Sequence, residues 1–140
     1  MMQARVDNRR AAHQSAYANQ GSILSEIPAE NVYICIGYTD MRQSIDGLAA
    51  MVQQVYHLDP CARNLYLFCG RRSDRIKALY WEGDGFLLMY KRLENNGRFQ
   101  WPRRESEARL ISERQLRWLL EGLNIDQPRA FKQTTPMRMI

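Results

Sequence analysis

Arginine and lysine recur between Gly70 and Arg104 in clusters separated by aromatic runs, and this pairing is where the chain can do chemistry. The runs are Gly70-Arg71-Arg72-Ser73-Asp74-Arg75-Ile76-Lys77, Leu79-Tyr80-Trp81, Met89-Tyr90-Lys91-Arg92 and Arg98-Phe99-Gln100-Trp101-Pro102-Arg103-Arg104. Guanidinium and ammonium groups displace counterions from a polyphosphate, and flat rings stack on exposed bases. The expected chemistry is therefore recognition of a nucleic acid. The candidate contacts are Arg71, Arg72, Arg75, Lys77, Tyr90, Lys91, Arg92, Arg98, Arg103 and Arg104.

Each feature also has a plainer reading. Asp74 is placed to pair with a neighbouring arginine, which would leave 71–75 a solvated turn. Strand aromatics belong to cores more often than to stacking platforms, and Trp81 with Phe86 reads as cross-strand packing. Tyr90 is the exception, because Lys91 and Arg92 flank it. Arg42 is placed to pair with Asp46 four residues on, a weak helical contact.

Bond-making chemistry has no such support. Asp40, Asp46, Asp59, Asp74, Glu82 and Asp84 each sit in a turn or have a local structural task, and His13 and His57 stand alone. No pair of metal ligands, nucleophile–base set or phosphate loop is spelled out. The expectation is a non-enzymatic protein that needs neither cofactor nor metal.

The chain has 140 residues, a net charge of +5 and 45% hydrophobic content, which suits one domain with an acidic partner. No apolar run approaches the ~20 residues that span a bilayer, and the N-terminus lacks a signal-peptide core. Cys35, Cys61 and Cys69 are odd in number. Cys35 and Cys69 sit in strand-like runs, so they read as buried free thiols of a cytoplasmic protein.

The elements that must position the basic set follow from periodicity. Val32-Tyr33-Ile34-Cys35-Ile36 and Leu65-Tyr66-Leu67-Phe68-Cys69 read as strands, each ended by glycine. Between them Ile45, Leu48, Ala49, Val52, Val55 and Tyr56 form a helical stripe, with Thr39 or Asp40 as the expected cap and, for Asp40, Gln43 in the capping-box position. A two-residue Gly83-Asp84 turn predicts a hairpin pairing Trp81 with Phe86, Leu79 with Leu88, Lys77 with Tyr90 and Arg75 with Arg92. A three-residue turn would put Lys77 opposite Lys91 instead. On either register like charges meet at the open end, which favours an anion there.

Arg98-Phe99-Gln100-Trp101 is expected to add a short strand. Ser112 and Gln115 predict a capped helix through Leu116, Leu119 and Leu120, closed at Gly122. The fold expected is a small single α+β domain, with a mostly antiparallel sheet, a central hairpin and two amphipathic helices. Its bounds are 27–125, after a flexible extension at 1–26 and before a loose basic tail at 126–140.

Several ordered motifs resemble one family. They are Gly37-Tyr38-Thr39-Asp40-Met41-Arg42, Asp46-Gly47-Leu48-Ala49-Ala50, Leu79-Tyr80-Trp81-Glu82-Gly83-Asp84-Gly85-Phe86, Tyr90-Lys91-Arg92-Leu93-Glu94, Gly97-Arg98-Phe99-Gln100-Trp101-Pro102 and Leu119-Leu120-Glu121-Gly122. They are similar to TnpB, the accessory protein of bacterial insertion sequences of the type numbered 66. The chain departs from that pattern at Cys69-Gly70 and in its first residues. The resemblance implies a small protein that works beside a separate transposase. On this basis the expected function is an accessory factor that binds DNA to help assemble a transposition complex. The alternative is a protein–protein adaptor that recruits or regulates the transposase without touching DNA.

Overall fold

The computed structural model describes residues 21–104 and 107–132. The sheet has five strands: β1 (Asn31–Cys35), β2 (Asn64–Cys69), β3 (Arg75–Trp81), β4 (Phe86–Arg92) and β5 (Ala108–Ile111). They lie in the order β4-β3-β2-β1-β5. Only β1 and β2 run parallel, joined by a crossover through helix α1 (Ile45–Gln54); the other three interfaces are antiparallel. Helix α2 (Glu113–Leu120) follows β5. The α+β class expected from the sequence is the one found.

Strand alternation sends side chains to two cores. On one face α1 buries Leu48 and Val52 against Cys35, Tyr66, Phe68 and Leu79. On the other, Leu116 and Leu119 of α2, with Leu24, Phe99 and Trp101, cover Ile34, Leu65, Leu67, Ile76 and Ala78. All six residues of β2 are buried, as its central place in the sheet requires. Full burial of a Leu or Phe side chain is worth about 1.5–3 kcal/mol, so the two layers hold β2 and β3 as a rigid platform.

The hairpin has the predicted register, from Trp81 opposite Phe86 to Arg75 opposite Arg92. Glu82 N–H donates to the Gly85 carbonyl at 2.9 Å, and Gly83 supplies the positive φ, +95°, that the tight turn needs. Trp81 and Phe86 meet edge to face with centroids 4.8 Å apart. The second helix also starts as predicted: Gln115 N–H donates to Ser112 Oγ, and Gln115 Oε1 accepts from the Ser112 N–H. It ends in a Schellman turn, with Leu123 N–H to the Trp118 carbonyl and Gly122 at φ +87°.

Several expectations fail for physical reasons. Helix α1 starts at Ile45, not after Asp40, because Asp40 Oδ1 takes the Arg42 N–H at 2.9 Å and its carboxylate pairs with the Arg42 guanidinium. That same pair replaces the expected Arg42–Asp46 contact. The helix also stops at Gln54: Leu58 N–H returns to the Val52 carbonyl around His57 at φ +56°. The Arg98-Phe99-Gln100-Trp101 segment is no strand. Its rings turn inward as a plug, and the fifth strand is Ala108–Ile111.

Lastly, the domain begins before residue 27. Ser22 caps a 3-10 turn at Ile23–Glu26 that buries Leu24 in the core. At the other end Asp126 pairs with Arg109, and Arg114 donates to the Phe131 carbonyl, so 126–131 lie against the domain. The rest of the extension expected at 1–26 and of the tail expected at 126–140, namely 1–20 and 133–140, lies outside the described residues.

Candidate nucleic-acid interface

Beyond the end of β2 the chain makes a tight turn at 70–74. Ser73 N–H donates to the Gly70 carbonyl, and Ser73 takes a left-handed φ of +63°. That conformation turns two consecutive carbonyls, Ser73 and Asp74, toward the segment that follows β4. Leu93 N–H donates to Asp74 O at 2.6 Å, and Phe99 N–H donates to Ser73 O at 2.7 Å. The intervening loop is an arch pinned at both feet. Its turn carries Asn95 and Asn96, both left-handed at φ +55° and +62°, and closes with Gly97 N–H donating to the Glu94 carbonyl. Asparagine tolerates that region better than most residues.

Arginines surround the arch. Arg72, Arg75, Arg92 and Arg98 line a cleft of about 500 Å³ together with Asp74 and Glu94. Arg72 and Arg75 also line a second cleft of about 450 Å³, shared with Arg71, Arg42 and Tyr38. Asp74 pairs with Arg75 at 3.0 Å, and Glu94 pairs with Arg92 at 3.0 Å. The Arg75 hydrogen bond holds the Asp74 carboxyl below its usual range, so the carboxylate stays ionised at neutral pH. Among the described residues Arg71, Arg72 and Arg98 form no salt bridge, although the Arg72 charge also acts on Asp74. Arg98 instead donates to the Arg72 carbonyl at 2.9 Å.

The ten sequence-derived candidates therefore divide. Arg71, Arg72, Arg75, Arg92 and Arg98 come together at the base of the hairpin. Lys77 and Tyr90 share a face with Arg75 and Arg92; Lys77 Nζ lies 5.9 Å from the Tyr90 ring centroid and donates to the Gln43 carbonyl. Tyr90 is half exposed, unlike Phe99 and Trp101, which are core. Lys91 points to the opposite face, where Nζ approaches Ser22 Oγ at 3.5 Å. It cannot join a surface with Arg92, its neighbour along a strand.

Arg103 has its donors engaged within the protein. Partly buried, its guanidinium donates to the carbonyls of Gly37 and Gly70 and to Ser73 Oγ, and lies 5.9 Å from the Tyr38 ring centroid. Arg104 is exposed in the loop before β5.

Tyr38 was not among the candidates, although it stands in the Gly37-Tyr38-Thr39-Asp40 motif. It is 58% exposed; the Arg71 guanidinium sits 4.6 Å from its ring centroid and donates to its hydroxyl at 2.7 Å. An exposed ring with a cation against it suits an unpaired base. The signal available in sequence was an aromatic just after a strand-ending glycine.

Among the described residues no group of three or more His, Cys, Asp or Glu side chains is placed to hold a metal ion. No helix among them is long and apolar enough to cross a membrane. Cys35 and Cys69 are buried as free thiols, whereas Cys61 is exposed.

Residues 30–130 match the family model described as IS66 Orf2 like protein. The uncharacterized protein y4hO of Sinorhizobium fredii (strain NBRC 101917 / NGR234) is 42% identical over 97 residues, covering 69% of this chain and 84% of that protein. A second from the same strain, the uncharacterized protein y4jC, is 33% identical over 85 residues, or 61% of this chain and 72% of that one. No solved structure matches.

Proposed function

The chain belongs to the IS66 Orf2-like family of transposition-associated accessory proteins, and we propose that it serves transposition by holding DNA at the base of its hairpin. The observation that carries this reading is the convergence of Arg71, Arg72 and Arg98, none in a salt bridge among the described residues, around two adjoining clefts. Guanidinium forks match phosphate oxygens in charge and geometry. They position a backbone without reading its sequence, which suits an assembly factor in a bacterial cytoplasm.

The test is a salt titration of binding by the full chain to single-stranded, duplex and element-end DNA. Affinity falls linearly on a log–log plot, by about 0.9 per phosphate neutralised on duplex. Triple charge reversal (R71E/R72E/R98E) removes binding while the fold is kept. Binding that ignores salt, or that survives the reversal, overturns the reading.

A second reading, direct contact with the transposase, has one observation behind it. Outer strand β4 borders an apolar groove of about 560 Å³ lined by Ile23, Leu24 and Met89, with Ile23 and Tyr90 exposed. Capture of purified transposase that survives both nuclease treatment and the triple reversal favours this adaptor role.

A further inference from the structure

We infer that the cleft under the 93–99 arch takes the phosphomonoester at the end of a nucleic-acid strand, in preference to the diesters along it. The inference deepens the DNA-binding reading and rests on it. Its first support is charge. Four guanidinium groups (Arg72, Arg75, Arg92, Arg98) and two carboxylates (Asp74, Glu94) line the cleft, leaving it a net charge of plus two. A phosphomonoester carries about −1.5 to −2 at pH 7 and offers three acceptor oxygens. A backbone diester carries a single charge and leaves half the excess uncompensated.

The second support is shape. Both feet of the arch are tied to consecutive carbonyls of one turn, through Leu93 to Asp74 and Phe99 to Ser73. The loop thus closes on itself beside the cleft, and the volume of about 500 Å³ falls in the range of small-ligand sites. Such a half-open cleft can admit a terminal nucleotide. The neighbouring cleft, with Tyr38 and Arg71, is then placed for the nucleotides that follow.

The third support is the division among the arginines. Arg75 pairs with Asp74, and Arg92 with Glu94 in a more exposed pair, while Arg72 and Arg98 are exposed and outside any salt bridge. Two cations in salt bridges and two outside them leave guanidinium donors that can turn to the ligand.

The test compares oligonucleotides of one sequence carrying a 5′-hydroxyl, a 5′-phosphate or a 3′-phosphate, with a closed circle of the same length as the form without ends. Full-length protein binds a phosphorylated end about tenfold more tightly than the hydroxyl end or the circle, as one added charge-assisted contact allows. The advantage shrinks below pH ~6, where the phosphomonoester loses its second charge. Arg72→Ala and Arg98→Ala each reduce the preference for the phosphorylated end, while Arg71→Ala weakens all forms alike. Inorganic phosphate and a nucleoside monophosphate compete for the end-specific part alone. Equal affinity for all four DNA forms, with a normal salt slope, overturns this inference and leaves the DNA-binding proposal standing. Failure of every form to bind overturns both.

Discussion

Arg103 donates to Ser73 Oγ at 2.6 Å, reaching back across 30 positions to a residue held in the left-handed region. The same guanidinium satisfies the carbonyls of Gly37 and Gly70, so one side chain ties the loop after β1, the turn after β2 and the strap before β5. Because the Ser73 carbonyl also anchors the arch, Arg103 positions the basic clefts without lining them. Arg103→Ala should lower stability by about 2 kcal/mol, the scale of lost hydrogen bonds to a charged group. Arg72→Ala should leave stability within about 0.5 kcal/mol, as exposed sites do. Denaturant midpoints of the two variants decide this; equal midpoints would mean that Arg103 has no structural role.

Cap chemistry makes a cleaner stability test. Ser112→Ala removes the oxygen that accepts the Gln115 N–H, and should cost about 0.5–2 kcal/mol. Ser112→Asp should restore most of that, since aspartate caps as well as serine. Thermal unfolding of the three proteins gives the ranking, and an Asp variant no better than Ala would contradict it.

Thiol reactivity reports the two cores. Cys61 is exposed and should react with a disulfide reagent within minutes at pH 8. Burial pushes the Cys69 thiol up to about 11 and drives Cys35 higher still. Both should stay unreacted until the sheet opens. One fast thiol followed by two that track global unfolding is the expected trace, and three fast thiols would contradict the packing.

Acid should weaken the fold in a defined window. Hydrogen bonds from arginines hold the carboxyls of Asp40, Asp74 and Asp126 low, with Asp40 at about 2. Depressed folded values mean that these carboxylates stabilise above the unfolded value near ~4 and lose that effect as pH falls toward ~2. Asp40 and Asp126 are well exposed, so solvent screens their shares, whereas the Asp74 side chain is only 25% exposed. Stability measured from pH 5 to 2 should fall, and Asp126→Asn should flatten part of the drop. An unchanged slope in that variant would remove Asp126 from the account.

The hairpin register, from Trp81–Phe86 to Arg75–Arg92, was legible in sequence because a glycine turn and alternating side chains fix it locally. The Ser112 start was legible for the same reason. Strand β5 was not, since Ala-Arg-Leu-Ile has no turn signal beside it and is a strand only because β1 offers an edge. Helix α1 began late because Asp40 spends its side chain on Arg42, a choice that spacing alone does not show. For the site, charge density pointed to the hairpin base, and alternation should have set Lys91 apart from Arg92. Arg103 and Tyr38 needed the fold: one is held by three acceptors, and the other gains its neighbour from a turn 33 positions away.

Strand β5 completes the sheet by lying against β1, so the earliest strand made waits for almost the last. A chain synthesised only through β4 holds the partner of β1 on one side and lacks the one on the other. Any product cut short before residue 108 keeps that naked backbone as a template for unwanted pairing. Reaching β5 exchanges the bare flank of β1 for that of a strand only four residues long, a shorter template.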